Sequence, residues 1–183
     1  MTYTRQNPSP HYSDLTFLYS QMHNICGAPE AGLTADEVFS GISLRPHLET
    51  IRTLIDAADI LTILDYGSGK GRYWSELDRP DVDVALYDPG IPQINVLPQG
   101  RYDMVVCTDV MEHVHEDDVP WVLREIVDKA HFAIFMTICT RLAVKRLPDG
   151  RNAHITVKPK GWWDAQIKEA IGDKVLRALI TYV

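Results

Sequence analysis

A run rich in β-branched residues, Ile60 to Asp65 (ILTILD), ends in a cluster of glycines: Asp65-Tyr66-Gly67-Ser68-Gly69-Lys70-Gly71. Three glycines within five positions point to a backbone that takes positive φ, or that a ligand approaches with no Cβ in the way. A buried strand leading into such a turn is the signature of an open α/β sheet, where ligands sit beyond the carboxyl ends of the strands. The second half of the chain keeps that rhythm. Val82 to Tyr87, Tyr102 to Thr108, His131 to Cys139 and Val175 to Val183 read as further strands. Val119, Val122, Leu123, Ile126, Val127 and Ala130 recur at helical spacing, as do Trp163, Ile167, Ala170 and Ile171. Strands alternating with helices predict an α/β fold, Rossmann-like, with a central mostly parallel sheet and helices on both faces.

The first third of the chain is organised differently. Residues 1–14 are polar and contain Pro8 and Pro10, so they read as an irregular arm. Leu15, Leu18, Tyr19 and Met22 then fall on one helical face, and a Gly/Pro/Ala-rich loop follows at Gly27–Gly32. Thr34 with Glu37 three residues later predicts a capping box opening a short helix through Phe39. Leu44, Leu48, Ile51, Ile55 and Ala58 predict an amphipathic helix from about Arg45 to Asp59. The 183 residues suit a single domain, with residues 1–44 as an N-terminal cap segment and 45–183 as a cofactor-binding core.

Composition narrows the function. Lys plus Arg number 18 against 25 Asp plus Glu, a net charge of −7, which disfavours a non-specific nucleic-acid or anionic-membrane binder. The longest apolar stretch, Phe132 to Cys139, is broken by Thr137 and far too short to span a bilayer. The N-terminal residues lack the basic-then-apolar order of a secretory signal, and Cys26, Cys107 and Cys139 are odd in number and widely spaced. A cytoplasmic location with reduced thiols is therefore expected, with neither nucleic acid nor membrane as partner.

Asp88 closes the second strand, nineteen residues past Gly69, where an acid can hydrogen-bond a ribose diol. Strand, glycine turn, a helix expected from about Arg72, and this distal acid together point to a nucleoside-containing cofactor. The spacing G-x-G-x-G departs from the G-x-G-x-x-G of dinucleotide sites, and an acid two residues ahead of the first glycine suits a ligand with an ammonium group. Here the chain resembles the class I S-adenosylmethionine-dependent methyltransferases, through ILDYGSGKG and through Tyr102–Val114 (YDMVVCTDVMEHV), which is similar to the fourth-strand segment of that family's small-molecule, EHV-motif branch. The likeness covers roughly residues 50–140.

The resemblance implies S-adenosyl-L-methionine as cofactor. Asp65 and Gly67 would lie beneath its methionine moiety, with Ser68, Gly69 and Gly71 completing the turn. Asp88 would bind the ribose, and Thr108 and Asp109 would border the amino-acid end and the acceptor. The family often places an acid after its third strand to receive the adenine amino group. Between Asp88 and Tyr102 this chain has none, leaving Gln93, Asn95 or backbone carbonyls, and the sheet is expected to be trimmed at its third and last strands.

Methyl transfer from a sulfonium is an in-line displacement that depends on alignment, with a base required when the acceptor is a hydroxyl or a protonated amine. Of seven histidines, His113 and His154 follow strands on the ligand side and are the catalytic candidates. For His113 the plainer alternative is a structural hydrogen bond. Tyr19, His23 and Arg45 in the cap segment, and Trp162 at the start of a helix, are the candidates for lining an acceptor pocket. Glu112, His113, His115, Asp117 and Asp118, with His154, also invite a metal reading through a partial D-x-x-E-H match. A solvated acidic helix start explains the tract more simply, so no metal is expected. The favoured function is an enzyme methylating a small-molecule acceptor. The alternatives are a non-catalytic S-adenosylmethionine-binding subunit or regulator and, less favoured by the glycine spacing, a nicotinamide-dependent oxidoreductase. An unpaired edge at the last strand leaves room for a homo-oligomer.

Overall fold

The computed structural model describes residues 2–183. Its centre is a five-stranded, wholly parallel sheet: β1 (Thr62–Tyr66), β2 (Asp83–Tyr87), β3 (Tyr102–Thr108), β4 (Ala130–Ile138) and β5 (Arg177–Tyr182), in spatial order β2-β1-β3-β4-β5. The order reverses between β1 and β3, where the chain leaves β1 first for β2 and later for β3. Such a switch point opens a crevice at the carboxyl ends of the strands. Both the glycine turn and the segment after β3 lie there.

Period-two alternation along the strands feeds two cores. Leu64, Val105, Ile134 and Met136 face α3 (Val119–Lys129) and α4 (Lys160–Ile171), where Val122, Ile126, Trp163 and Ile167 are buried. Ile63, Met104, Val106 and Phe135 face α2 (Leu48–Ala58), against Ile51 and Ile55. Truncating one of these fully buried aliphatic residues to alanine costs about 2–5 kcal/mol. A third cluster joins α1 (Pro10–Gln21) to the segments after it through Leu15, Leu18, Met22, Val38 and Leu147. This cap sits over the carboxyl ends of the strands. Among the described residues no helix is long and apolar enough to cross a membrane.

Three local expectations give way. No α-helix follows the glycine turn; one short 3-10 turn, Trp74–Leu77, stands in its place. The amides of Lys70 and Arg72 donate instead to the carbonyls of Phe39 and Ser40, and Pro80 leaves too few residues for a helix. The Thr34–Glu37 box forms in part, with the Thr34 amide and hydroxyl both donating to Glu37 Oε2 at 2.9 and 2.8 Å. Phe39 then takes φ +48° and the chain turns away without a helix. Nor are residues 1–14 an irregular arm throughout: α1 begins at Pro10, N-capped by the Ser9 hydroxyl, and the residues before it are tied down. Arg5 forms an ion pair with Glu125 of α3 and donates to Tyr87 Oη at 2.9 Å, while Ser9 and Trp121 both donate to the fully buried Asp118. Asp118 is thus an internal anchor and not a solvated helix start.

Residues 89–101, where a third strand was in doubt, contain no strand, and β2 and β5 are the two edges. β5 pairs directly with β4 in parallel, from Ala133–Arg177 to Ile138–Tyr182.

Candidate functional site

The glycine turn is built by close packing. Gly67, Gly69 and Gly71 all have positive φ. The amides of Gly67 and Ser68 donate to the Tyr87 carbonyl at 2.8 and 3.0 Å, which staples the turn to the end of β2. A Cβ on Gly69 would come within 2.1 Å of the Phe39 carbonyl oxygen, so the cap segment rests directly on the turn. Asp88 completes the frame. Its Oδ2 accepts from the Gly69 amide at 2.9 Å and its Oδ1 from the Gly90 amide at 2.8 Å.

Above this frame is a largely apolar cavity. Tyr12, Leu15, Thr16, Tyr19 and His23 come from the cap; Tyr66, Gly67 and Gly69 from the turn; Asp88, Pro89 and Gly90 from the end of β2; and Asp109, Val110, His113, Val114 and His115 from the segment after β3. A second cavity is lined by Ser40, Gly41, Arg72, Tyr73, Lys145 and His154. The two meet at a shared wall of Phe39, Asp109 and His113.

The shared wall is rigid for identifiable reasons. Asp109 takes φ +54°, rare for a residue with a side chain. Thr137, at the end of the neighbouring strand β4, holds it there: its hydroxyl accepts from the Asp109 amide at 3.0 Å and donates to Asp109 Oδ1 at 2.9 Å. His113 is fixed by Nδ1, 2.7 Å from the carbonyl oxygen of Ala153, so Nδ1 carries the proton and Nε2 keeps its lone pair. Burial, with His154 and Lys145 nearby, lowers its pKa to about 3, and the ring stays neutral. Tyr19 stacks edge-on against His113 and donates to the same Ala153 carbonyl at 2.6 Å. Phe39 packs edge-on against Tyr19 and His113, and the Lys145 ammonium lies 4.3 Å from its ring centroid. Burial holds the Lys145 pKa below its usual value.

Of the residues singled out from sequence, Gly67, Gly69, Asp88, Asp109, Tyr19, His23 and His113 line the first cavity, and His154 lines the second with Asp109 and His113. Others lie elsewhere. Asp65 is buried behind the turn, where it accepts from Trp74 Nε1 at 2.6 Å, and burial raises its pKa to about 7. Ser68 folds its hydroxyl onto the Gly69 carbonyl, and Gly71 packs on Leu86. Thr108 ends β3 one residue short of the shared wall, and Gln93 and Asn95 contribute to neither cavity. Arg45 pairs with Glu76 outside the second cavity, and Trp162 packs against Trp163 and Lys158 away from both. Sequence reasoning missed Phe39 and Lys145. Each lies in irregular chain, with no periodicity or motif to mark it.

The first cavity has the chemistry a nucleoside ligand needs. A carboxylate has roughly four lone-pair positions, so Asp88 keeps capacity for a diol after accepting two amides. The aromatic and aliphatic cap residues offer an apolar surface to a base. Residues 33–170, well over half the chain, match the model of a family described as a methyltransferase domain. No curated protein sequence matches the chain.

Proposed function

This chain belongs to the methyltransferase-domain family, and from that premise we propose that it moves a methyl group from S-adenosylmethionine to a small-molecule acceptor by in-line displacement. The observation that carries the proposal is the meeting of two cavities at one wall, since transfer needs donor and acceptor held end to end. The first cavity takes the cofactor, with Asp88 on the ribose and Gly67 and Gly69 allowing close approach. When bound, S-adenosylmethionine supplies a methyl group activated by its sulfonium. The second cavity takes the acceptor.

The chain's own part is alignment and proton handling. Asp109, locked by Thr137, borders both ligands. His113 presents the Nε2 lone pair at the junction and receives the hydrogen bond of an acceptor O–H or N–H. Its depressed pKa keeps it unprotonated at rest, and the proton moves as the new bond forms. His154 and Lys145 orient the acceptor from the far side. A net charge of −7 supports a small acceptor over a nucleic acid.

Calorimetric titration with S-adenosylhomocysteine, with NADH as control, tests the cofactor. Micromolar binding of the first alone is expected. Binding of NADH alone, or of neither, overturns the reading.

A further inference from the structure

Glu112 is fully buried at the start of the segment after β3, and its two carboxylate oxygens are treated differently. Oε1 accepts from the Cys139 amide at 3.0 Å; Oε2 has no partner of any kind among the described residues. A buried acceptor left open is destabilising, and more so if it carries charge. Protonating Glu112 removes the charge but still leaves that oxygen without a neighbour to bond.

Two soft or borderline donors stand beside it. A carboxylate oxygen of Glu112, the sulfur of Cys139 and a ring nitrogen of His154 all lie within 4.8 Å of one another. The Arg141 carbonyl orients two of the three. It accepts from His154 Nδ1 at 2.6 Å, which leaves the lone pair on Nε2, and it lies 3.7 Å from the Cys139 sulfur. A backbone carbonyl on the far nitrogen is how metal-bound histidines are commonly held.

The geometry points to a binding site for a zinc-class divalent cation formed by Glu112, Cys139 and His154. Carboxylate, thiolate and imidazole are the donor set that zinc takes, and three protein ligands leave one position of a tetrahedron open. His154 lines the second cavity, so the site borders that space. One carboxylate and one thiolate neutralise a dication. Binding releases the thiol proton, and any proton that Glu112 holds, to solvent and gives the Glu112 carboxylate a further partner. The set shares Glu112 and His154 with the residues the sequence suggests and takes Cys139 in place of the rest. His115 and Asp117 form a second grouping with His11, where no buried unpaired atom points to a ligand. The site stands apart from the methyl-transfer reading. Where both hold, His154 serves as ligand and the orienting of the acceptor falls to Lys145.

The test uses the untagged 183-residue chain, stripped with a chelator and titrated with Co²⁺ as a spectroscopic probe for zinc. Expected are one equivalent bound, a thiolate-to-cobalt charge-transfer band in the near ultraviolet, and displacement by Zn²⁺. Cys139→Ser should abolish the band, while Cys26→Ser and His11→Ala leave it intact. His154→Gln alters a partly exposed residue and should weaken binding at least tenfold with an unchanged far-ultraviolet spectrum, which covers the case of Cys139→Ser failing to fold. No stoichiometric binding, binding without the thiolate band, or full affinity in His154→Gln overturns the proposal.

Discussion

The Thr137 hydroxyl bonds Asp109 twice, accepting from its amide at 3.0 Å and donating to its Oδ1 at 2.9 Å across neighbouring strand ends. One side chain on β4 thereby holds a residue of β3's exit loop in a left-handed conformation, and fixes the wall between the two cavities.

Thr137→Val keeps the shape and removes both bonds. It should cost about 1 kcal/mol of stability, because two hydrogen bonds are lost at the half-buried Asp109 while its amide keeps the Thr137 carbonyl. Methyl transfer should fall by about tenfold or more, while S-adenosylhomocysteine affinity changes less. Steady-state kinetics beside calorimetry would show the split; equal losses in both would mean that Asp109 serves only to bind the cofactor.

Gly69→Ala places a Cβ 2.1 Å from the Phe39 carbonyl and strains a φ of +53°. The cap segment must lift off the turn, and cofactor affinity should drop at least a hundredfold. Gly161→Ala meets open space and serves as the control. Unchanged titration curves for Gly69→Ala would detach the turn from the binding site.

Two buried groups set opposed pH dependences. Burial lowers the His23 pKa from 6.5 to about 3, so its contribution to stability is present above pH 6.5 and is lost as pH falls through that window. The loss is roughly 2 kcal/mol by pH 5. Burial raises the Asp65 pKa from 3.8 to about 7, so its contribution is present below pH 3.8 and is lost as pH rises through 7. Asp65→Asn keeps an acceptor for Trp74. It should match the parent near pH 4 and exceed it by about 4 kcal/mol at pH 8. His23→Gln should flatten the acid side instead. Denaturant unfolding across pH 4–8 measures both, and parallel curves for parent and variants would contradict the assignment.

Arg5→Met removes the cation between Glu125, Tyr66 and Tyr87 and leaves Glu125 facing the aromatic cluster. With the Arg5 side chain still 30% exposed, the cost falls below that of a fully buried pair, at about 2–3 kcal/mol. The melting temperature should fall by roughly 4–10 °C. A shift under 1 °C would show that the arm is not anchored through Arg5.

The strands, α2, α3 and α4 were legible because each carries its own periodicity: two for a pleated strand, 3.6 for a helix with one buried face. The missing helix after Gly71 was legible in principle too, since Pro80 comes only nine residues later. Asp88 and His113 were found because each stands next to a motif. Phe39 and Lys145 belong to no motif, and although Glu112 stands in one, only packing leaves its second oxygen open.

From the sequence alone came the alternation of elements, the glycine turn at the end of β1, and the family those motifs resemble. All rest on spacing along the chain, which a linear pattern can encode. Tertiary structure decided that the cap would press on Gly69, that Asp65 would turn from the cavity toward Trp74, and that Cys139 would meet Glu112 and His154. These relations join residues from 9 to 42 positions apart in the chain. Burial and hydrogen-bond supply act there through distance in space, and no local pattern carries that information.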